Sequence, residues 1–552
     1  MGFGMIGALA DELIEIRFAV DPLWPSLLGL SADHGKLPDP TAAGEQRTRL
    51  ALADVIARAE AVDRTSLSTV DSVTRDVIVQ QAKSMLDVLD SRLPDYTVSD
   101  AFSAPVQRLL LLMPSLVLSD EEKSRGFLTR LAAIPSYVDA VIERQRAALD
   151  EGFAPAGFLV DMGADFFERY LGSPETDPLL VESDLDGFAS ERDRLLAEVV
   201  HPAFARYKDF LALEMKPRAK PDSQPGLCWK PGGAEKYAKL IRVHTTVSTS
   251  AEELHELGLS VLAGLAAEYR ELGERVFGLD DLAEIFERLR TDPALRWNSC
   301  DELLESARAA ISRAETVAPR WFNSVPPTKC LVDAIPAAQA DGGTMGYYLE
   351  RALDGSREGT YFANTFDAHE RPRHVSEAIA FHEAVPGHHF QIELAQELTE
   401  LPLLRRMAEV NSYSEGWGLY AERLADEMGL YSGDVAKFGM LLQDSLRAGR
   451  LVVDTGMHAL GWSRAQAVDF LRDHTPMTPL EIEAEVDRYA GWPAQALSYM
   501  VGRLEIQRMR TEAEKALGDR FDIKAFHDVV LGSGVLPLPV LAKLVEDWVA
   551  AQ

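Results

Sequence analysis

Six of the chain's twelve histidines, His369, His374, His382, His388, His389 and His458, lie close together, and three of them fall in one short run, FHEAVPGHHF, residues 381–390. Imidazoles hold a divalent cation such as Zn2+, and a glutamate beside the first of them can take a proton from a water that the cation polarises. His382 and Glu383 supply that pairing, the first half of an HExxH pattern. The second half is altered, because Pro386 stands where HExxH carries its second histidine. Residues i and i+4 share a helix face, whereas the histidines on offer are at i+6 and i+7, so the turn between them must be distorted. Pro386 cannot donate to the His382 carbonyl and Gly387 tolerates unusual dihedrals, which suits Pro-Gly to a bulge between two helical pieces. A bulge absorbing two residues returns His388 to the second-ligand position, and one absorbing three returns His389. The smaller distortion favours His388, with His389 as the alternative.

A third ligand is expected from another helix. NSYSEGWGLYAERLADEMG, residues 411–429, offers Glu415 and Glu422, seven apart and nearly on one helical face. Glu415 is the expected ligand. Its bland reading is a capping box with Ser412, and Glu422 reads equally well as a solvated side chain. His369 and His374 read as loop residues ahead of the metal helix.

The elements that must carry these groups are mostly helices. From Ala8 to about Leu213, helix-length stretches with apolar residues three and four apart follow one another. MKPRAKPDSQPGLCWKPGG then brings Pro217, Pro221, Pro225 and Pro231 close together, which marks a boundary or a cleft-crossing loop. The expected division is an N-terminal helical lobe, 1–215, and a catalytic lobe, 216–552. Ser250 and Glu253 have capping-box spacing ahead of further helices. Between Val325 and Phe366, PPTKCLVDAIP and GTYFANTF supply the β-branched and aromatic residues of short strands, and helical periodicity returns from Val375. The fold class is mainly α, with a small β-sheet beside the metal helix. The stretch from Thr360 to Asn364 reads as an edge strand, where Tyr361, Phe362 and Asn364 could meet an extended peptide.

Composition narrows the partners. With 56 Lys and Arg against 87 Asp and Glu, the formal charge of −31 repels phosphate backbones and anionic membranes, so no nucleic acid and no membrane partner is expected. No apolar run approaches the ~18 residues of a spanning helix. Cys228, Cys300 and Cys330 are odd in number and widely spaced, and the N-terminus lacks a basic stretch ahead of its apolar start. A cytoplasmic protein is the expectation.

FHEAVPGHHFQ followed by SYSEGWGLYAERL, with RLVVDTGMHALGWS and PAQALSYMVGRLEI further on, resembles the bacterial domain of unknown function 885 family, which is itself similar to zinc peptidases of the gluzincin type. The likeness runs on through KPGGAEKYAKLIRVHTT and GTYFANT and is weakest before about residue 200. It implies a large, two-lobed, zincin-like helical hydrolase with a deep cleft, similar to angiotensin-converting enzyme and the helical carboxypeptidases, with Zn2+ as its metal. It also implies an oxyanion donor C-terminal to the metal helices, a role open to Tyr499 and His458.

Three functions follow. A zinc-dependent peptidase would use Glu383 as base on a peptide substrate. A non-haem iron oxygenase would use two histidines and a carboxylate, but such sites usually sit on barrel strands, whereas His382 and Glu415 lie in helical sequence. A metal-free peptide-binding or scaffold protein would keep the cleft yet have no use for Glu383.

Overall fold

The computed structural model of the chain describes residues 4–30, 33–101, 103–336 and 345–552. It is mainly α with one small sheet. Long helices begin where their sequences provide a cap. Thr41 accepts from the Gly44 amide ahead of Ala42–Ala61, Asp120 accepts from Lys123 ahead of Glu121–Asp150, and Ser250 with Glu253 forms the expected reciprocal box ahead of Ala251–Phe277.

Two apolar cores result. The smaller is built mostly from residues 98–215, around Phe127, Leu131, Phe167 and Phe204. The larger joins the first helices, through Ile6, Leu52 and Val77, to the elements that carry the histidine motif. At its centre lies the helix Asp434–His458, packed against Ala251–Phe277 and Ser376–Glu383, with every residue from Phe438 to His458 buried. A helix enclosed on all sides cannot keep a solvated polar face. Its polar residues Asp444, Arg447, Arg450, Asp454 and His458 recur three or four apart in one stripe, and each must find its partner inside the protein.

The helix Asn411–Glu427 crosses Ser498–Leu517 at almost bare backbone. A Cβ on Gly502 would lie 1.8 Å from the Ser412 carbonyl oxygen, and one on Gly416 would lie 2.5 Å from the Gly502 main chain. This pair of glycines sets how close the two helices approach, and with them Glu415 and Tyr499.

The sheet is small and its order departs from expectation. Strands β1 (Leu331–Ala334), β2 (Gly346–Leu349) and β3 (Thr360–Ala363) lie in the order β1-β3-β2, with β1 parallel and β2 antiparallel to β3. The expected edge strand is therefore the central one. Tyr361 pairs with Val332 on one side and Tyr348 on the other, so the main chain of β3 is engaged by its neighbours and cannot receive an added peptide strand. No helix among the described residues is long and apolar enough to cross a membrane.

Gly502→Ala tests the crossing. The extra methyl must push two helices apart, which costs ~1–3 kcal/mol in a filled interior. The expected outcome is a melting temperature lower by several degrees, whereas a Gly264→Ala control, mid-helix and with nothing within 4 Å of the new atom, holds or raises it.

Candidate metal centre

The helix Ser376–Glu383 ends at Ala384, whose φ of −111° and ψ of −98° leave the helical region, and a second helix begins at His388. The interruption spans residues 384–387. Gly387 folds back onto the first helix so closely that a Cβ would lie 1.8 Å from the His382 carbonyl oxygen. The Trp417 indole donates to the Pro386 carbonyl at 2.8 Å, which ties the interruption to the helix Asn411–Glu427. The expected bulge is present, and it turns His388 to the same side as His382.

There the two rings meet edge to face, with centroids 4.7 Å apart. Glu415 Oε2 lies 3.5 Å from His382 Nε2 and 3.3 Å from His388 Nε2. Four-coordinate zinc with ligand bonds of about 2.0–2.2 Å keeps its ligand atoms about 3.3–3.6 Å apart, so these separations are those of a tetrahedral edge. The three ligand atoms fall within 4.8 Å of one another, and Glu415 Oε2 is buried with no hydrogen-bond partner. Two nitrogens and one carboxylate oxygen that converge without bonding to each other are a donor set that fits zinc.

A second carboxylate aims the first histidine. Glu422, fully buried, takes His382 Nδ1 at 2.8 Å, which leaves Nε2 to face the cluster. Glu415, Gly418 and Glu422 form one row on their helix, and the His382 ring lies along it, so close to Gly418 that a Cβ there would be 2.7 Å from the imidazole. Neither bland reading survives. Ser412 caps nothing, because the helix begins before it without a side-chain cap, and Glu422 does not meet solvent.

The electrostatics ask for a cation. Burial opposes charge on His382, yet Glu415, Glu422 and Glu383 outweigh it and push the imidazole up to about 9. Burial likewise works against the Glu415 carboxylate, but the two imidazoles hold it well below its usual range. Glu383, the next residue after His382, points among the same groups, and its carboxyl is raised chiefly by burial.

Of the other expected residues, the structure gathers some and disperses others. The Tyr499 ring stacks near His382 with centroids 6.3 Å apart, and burial, then Glu415, raises its phenol, so it stays a hydrogen-bond donor at neutral pH. Tyr361 is buried, and its phenol is raised by burial and then by the charge of Glu383. Phe362 alternates to the other face of β3 and packs on Tyr347 with centroids 5.3 Å apart. Asn364 Oδ1 accepts from the Phe366 amide at 3.0 Å, a local turn.

His389 points away from the cluster. Its Nδ1 meets the Tyr348 hydroxyl at 3.0 Å, its Nε2 meets the Thr328 carbonyl at 3.2 Å, and burial pushes it down to about 4. His458 is likewise used elsewhere. It accepts from the Leu227 amide at 3.1 Å and faces the Tyr489 carbonyl at 2.9 Å, so both ring nitrogens are occupied and the oxyanion role expected of it has no free donor. His374 is buried rather than a surface loop residue, with neither ring nitrogen partnered by protein. The motif reading missed Glu422 as an orienting group and Arg447 beside Tyr499. The i, i+7 spacing was the signal for the first, and a stripe of charges recurring three or four apart in an otherwise apolar helix was the signal for the second.

A surface hollow of about 750 Å3 bounded by Glu284, Arg288 and Arg472 contains none of these groups, whereas Tyr361 and Asn364 line a small cavity of about 30 Å3 with Met345 and Ile379.

Residues 22–545 match the bacterial family described as "Bacterial protein of unknown function (DUF885)", and the chain belongs to that family. A crystal structure described as that of a "putative lipoprotein" from Colwellia psychrerythraea is similar over 99% of both chains, with 25% identity and a TM-score of 0.91. A second, described as a "putative lipoprotein of unknown function" from Shewanella oneidensis, shares the fold at 17% identity and a TM-score of 0.77, over 99% of this chain and 100% of its own. No curated protein matches the sequence.

Glu422→Gln keeps the shape of the orienting residue but weakens its hold on His382. Zinc affinity, measured by competition with a chromophoric chelator, is expected to fall ~10–100-fold. His388→Ala abolishes stoichiometric zinc, and His389→Ala retains it. The reverse pattern for the two histidines overturns the ligand assignment.

Proposed function

We propose that the chain is a zinc-dependent peptidase, mechanistically similar to the gluzincins, that hydrolyses oligopeptides. The observation that carries the reading is the convergence of His382, His388 and Glu415 with a carboxylate base, Glu383, adjoining the first of them. His382, His388 and Glu415 would hold the ion, which supplies Lewis acidity to a carbonyl oxygen and makes water a nucleophile near neutral pH. The remaining steps belong to the protein. Glu383 accepts the proton of the attacking water and passes it to the leaving amine, for which a carboxyl raised by burial is better matched than a solvated one. Tyr499, still protonated, donates to the oxyanion as the carbonyl becomes tetrahedral. Glu422 keeps His382 in the tautomer with Nε2 free.

The two competing readings account for less. Metal-free peptide binding gives no use to Glu383 beside the converging His382, His388 and Glu415. An iron oxygenase has no use for Glu383 next to the first ligand. For location, three free cysteines favour a reducing compartment, and we place the protein in the cytoplasm. The two structural relatives are described as lipoproteins, and cell fractionation tests the assignment here.

A mixed peptide library incubated with zinc-loaded protein is expected to be cleaved, and a chelator is expected to stop cleavage. Glu383→Gln should retain stoichiometric zinc and lose turnover by at least ~100-fold, since it cannot accept the proton. Tyr499→Phe should lower kcat ~10–1000-fold with little change in KM. An active Glu383→Gln enzyme removes the hydrolytic mechanism.

A further inference from the structure

The buried polar stripe of the central helix is matched almost throughout. Asp444 accepts from Arg423 at 2.5 Å and from Arg503 at 2.6 Å. Arg450 donates to Glu485 at 2.8 Å and to the Tyr489 hydroxyl at 3.0 Å. Asp454 accepts from Tyr237 and the Ala494 amide, and His458 is spanned by two main-chain groups. Arg447 is different. Only 9% exposed, it makes no hydrogen bond and no ion pair among the described residues, and its Nε is sealed from solvent without a partner. The neighbouring Arg450 also keeps one buried nitrogen, Nη1, unpartnered.

Both guanidiniums gather at Tyr499. Arg447 lies 5.5 Å and Arg450 4.5 Å from the centre of its ring, with Arg488 at 6.0 Å. On the metal side, the same ring stacks near His382. The acidic groups around them are already committed. Glu485 serves Arg450, Arg488 and the Tyr489 hydroxyl, and Glu422, the carboxylate on the metal side of Arg447, holds His382. Glu422, Glu485 and Glu383 act on Arg447 through their charge without bonding it, so its hydrogen-bond donors stay unused. A buried, unpaired cation is costly, and nothing in the packing of this helix requires one.

We propose that Arg447 and Arg450 form a carboxylate-binding subsite beside Tyr499, and that the substrates are peptides whose free C-terminal carboxylate docks there. The proposal rests on the peptidase reading and narrows it to cleavage near the C-terminus. A guanidinium fork matches the two oxygens of a carboxylate, and a few extended residues, at about 3.3–3.6 Å each, reach from that subsite past Tyr499 to the metal ligands. An acidic side chain offers the same chemistry, and the test separates the two sources.

Three otherwise uncharged, N-acetylated peptides of one sequence serve as probes: the free acid, the C-terminal amide, and the amide with a glutamate in the penultimate position. Binding to zinc-loaded Glu383→Gln protein is measured by calorimetry, so no turnover is needed. The free acid is expected to bind at least ~10-fold more tightly than the amide, as charge-assisted hydrogen bonds require. Arg447→Gln in the same background should bring the ratio near one, and Arg447→Lys should keep part of it. The melting temperature of Arg447→Gln should not fall, because the substitution removes an unpaired charge and no native bond. Equal binding of acid and amide to the Arg447 protein overturns the subsite, whether or not the variant folds. Tight binding restored by the glutamate amide overturns the C-terminal assignment. In native enzyme, cleavage of acid and amide with equal efficiency refutes the subsite and leaves the peptidase standing. Discrimination in binding without cleavage of any peptide refutes the peptidase and leaves the anion subsite.

Discussion

Two imidazoles six residues apart must face one point, and an uninterrupted helix forbids it. Six residues turn an α-helix through about 600°, which would leave His388 looking well away from His382. The break at residues 384–387 removes that constraint, and much of the surrounding structure exists to hold the break in shape. Trp417 captures the Pro386 carbonyl, Gly387 lies against the His382 carbonyl, and the Phe390 amide takes the carbonyl of Ala384 across the gap. The same helix that sends Trp417 to the break sends Glu415 and Glu422 to the histidine before it. One helix thereby fixes both the path of the chain and the aim of its side chains.

Charge of both signs gathers at Tyr499. Glu383, Glu415 and Glu422 surround two imidazoles. Arg447, Arg450 and Arg488 lie 5.5, 4.5 and 6.0 Å from the centre of the tyrosine ring. Neither half is stabilising in isolation, since desolvated like charges raise the energy of the folded state. Both groups of charge are held against one aromatic ring.

The sheet contributes less than its sequence implies. The hydrogen-bonding groups of Thr360–Ala363 are used inside the sheet, and the side chains alternate, so Tyr361 and Phe362 lie on opposite faces. Its contribution near the site is the buried Tyr361, on which the Glu383 charge acts.

The amino-acid sequence by itself determined the helical class, the strand-bearing interval, the box at Ser250 and Glu253, and the candidate roster of His382, Glu383, Glu415 and the adjacent pair His388 and His389. Each of these rests on periodicity, capping chemistry or the unlikeness of Pro-Gly to continuous helix, all of which act within a few residues. The choice between His388 and His389 was open, since spacing constrains the turn but not the direction in which a bulge releases the chain. Tertiary structure decided it by giving His389 a tyrosine and a carbonyl and leaving His388 Nε2 beside Glu415. It also occupied both nitrogens of His458, buried Glu422 behind His382 and placed β3 between two neighbours. Those outcomes depend on partners tens to hundreds of residues away, and no local pattern in one sequence says which buried polar group a distant helix will satisfy.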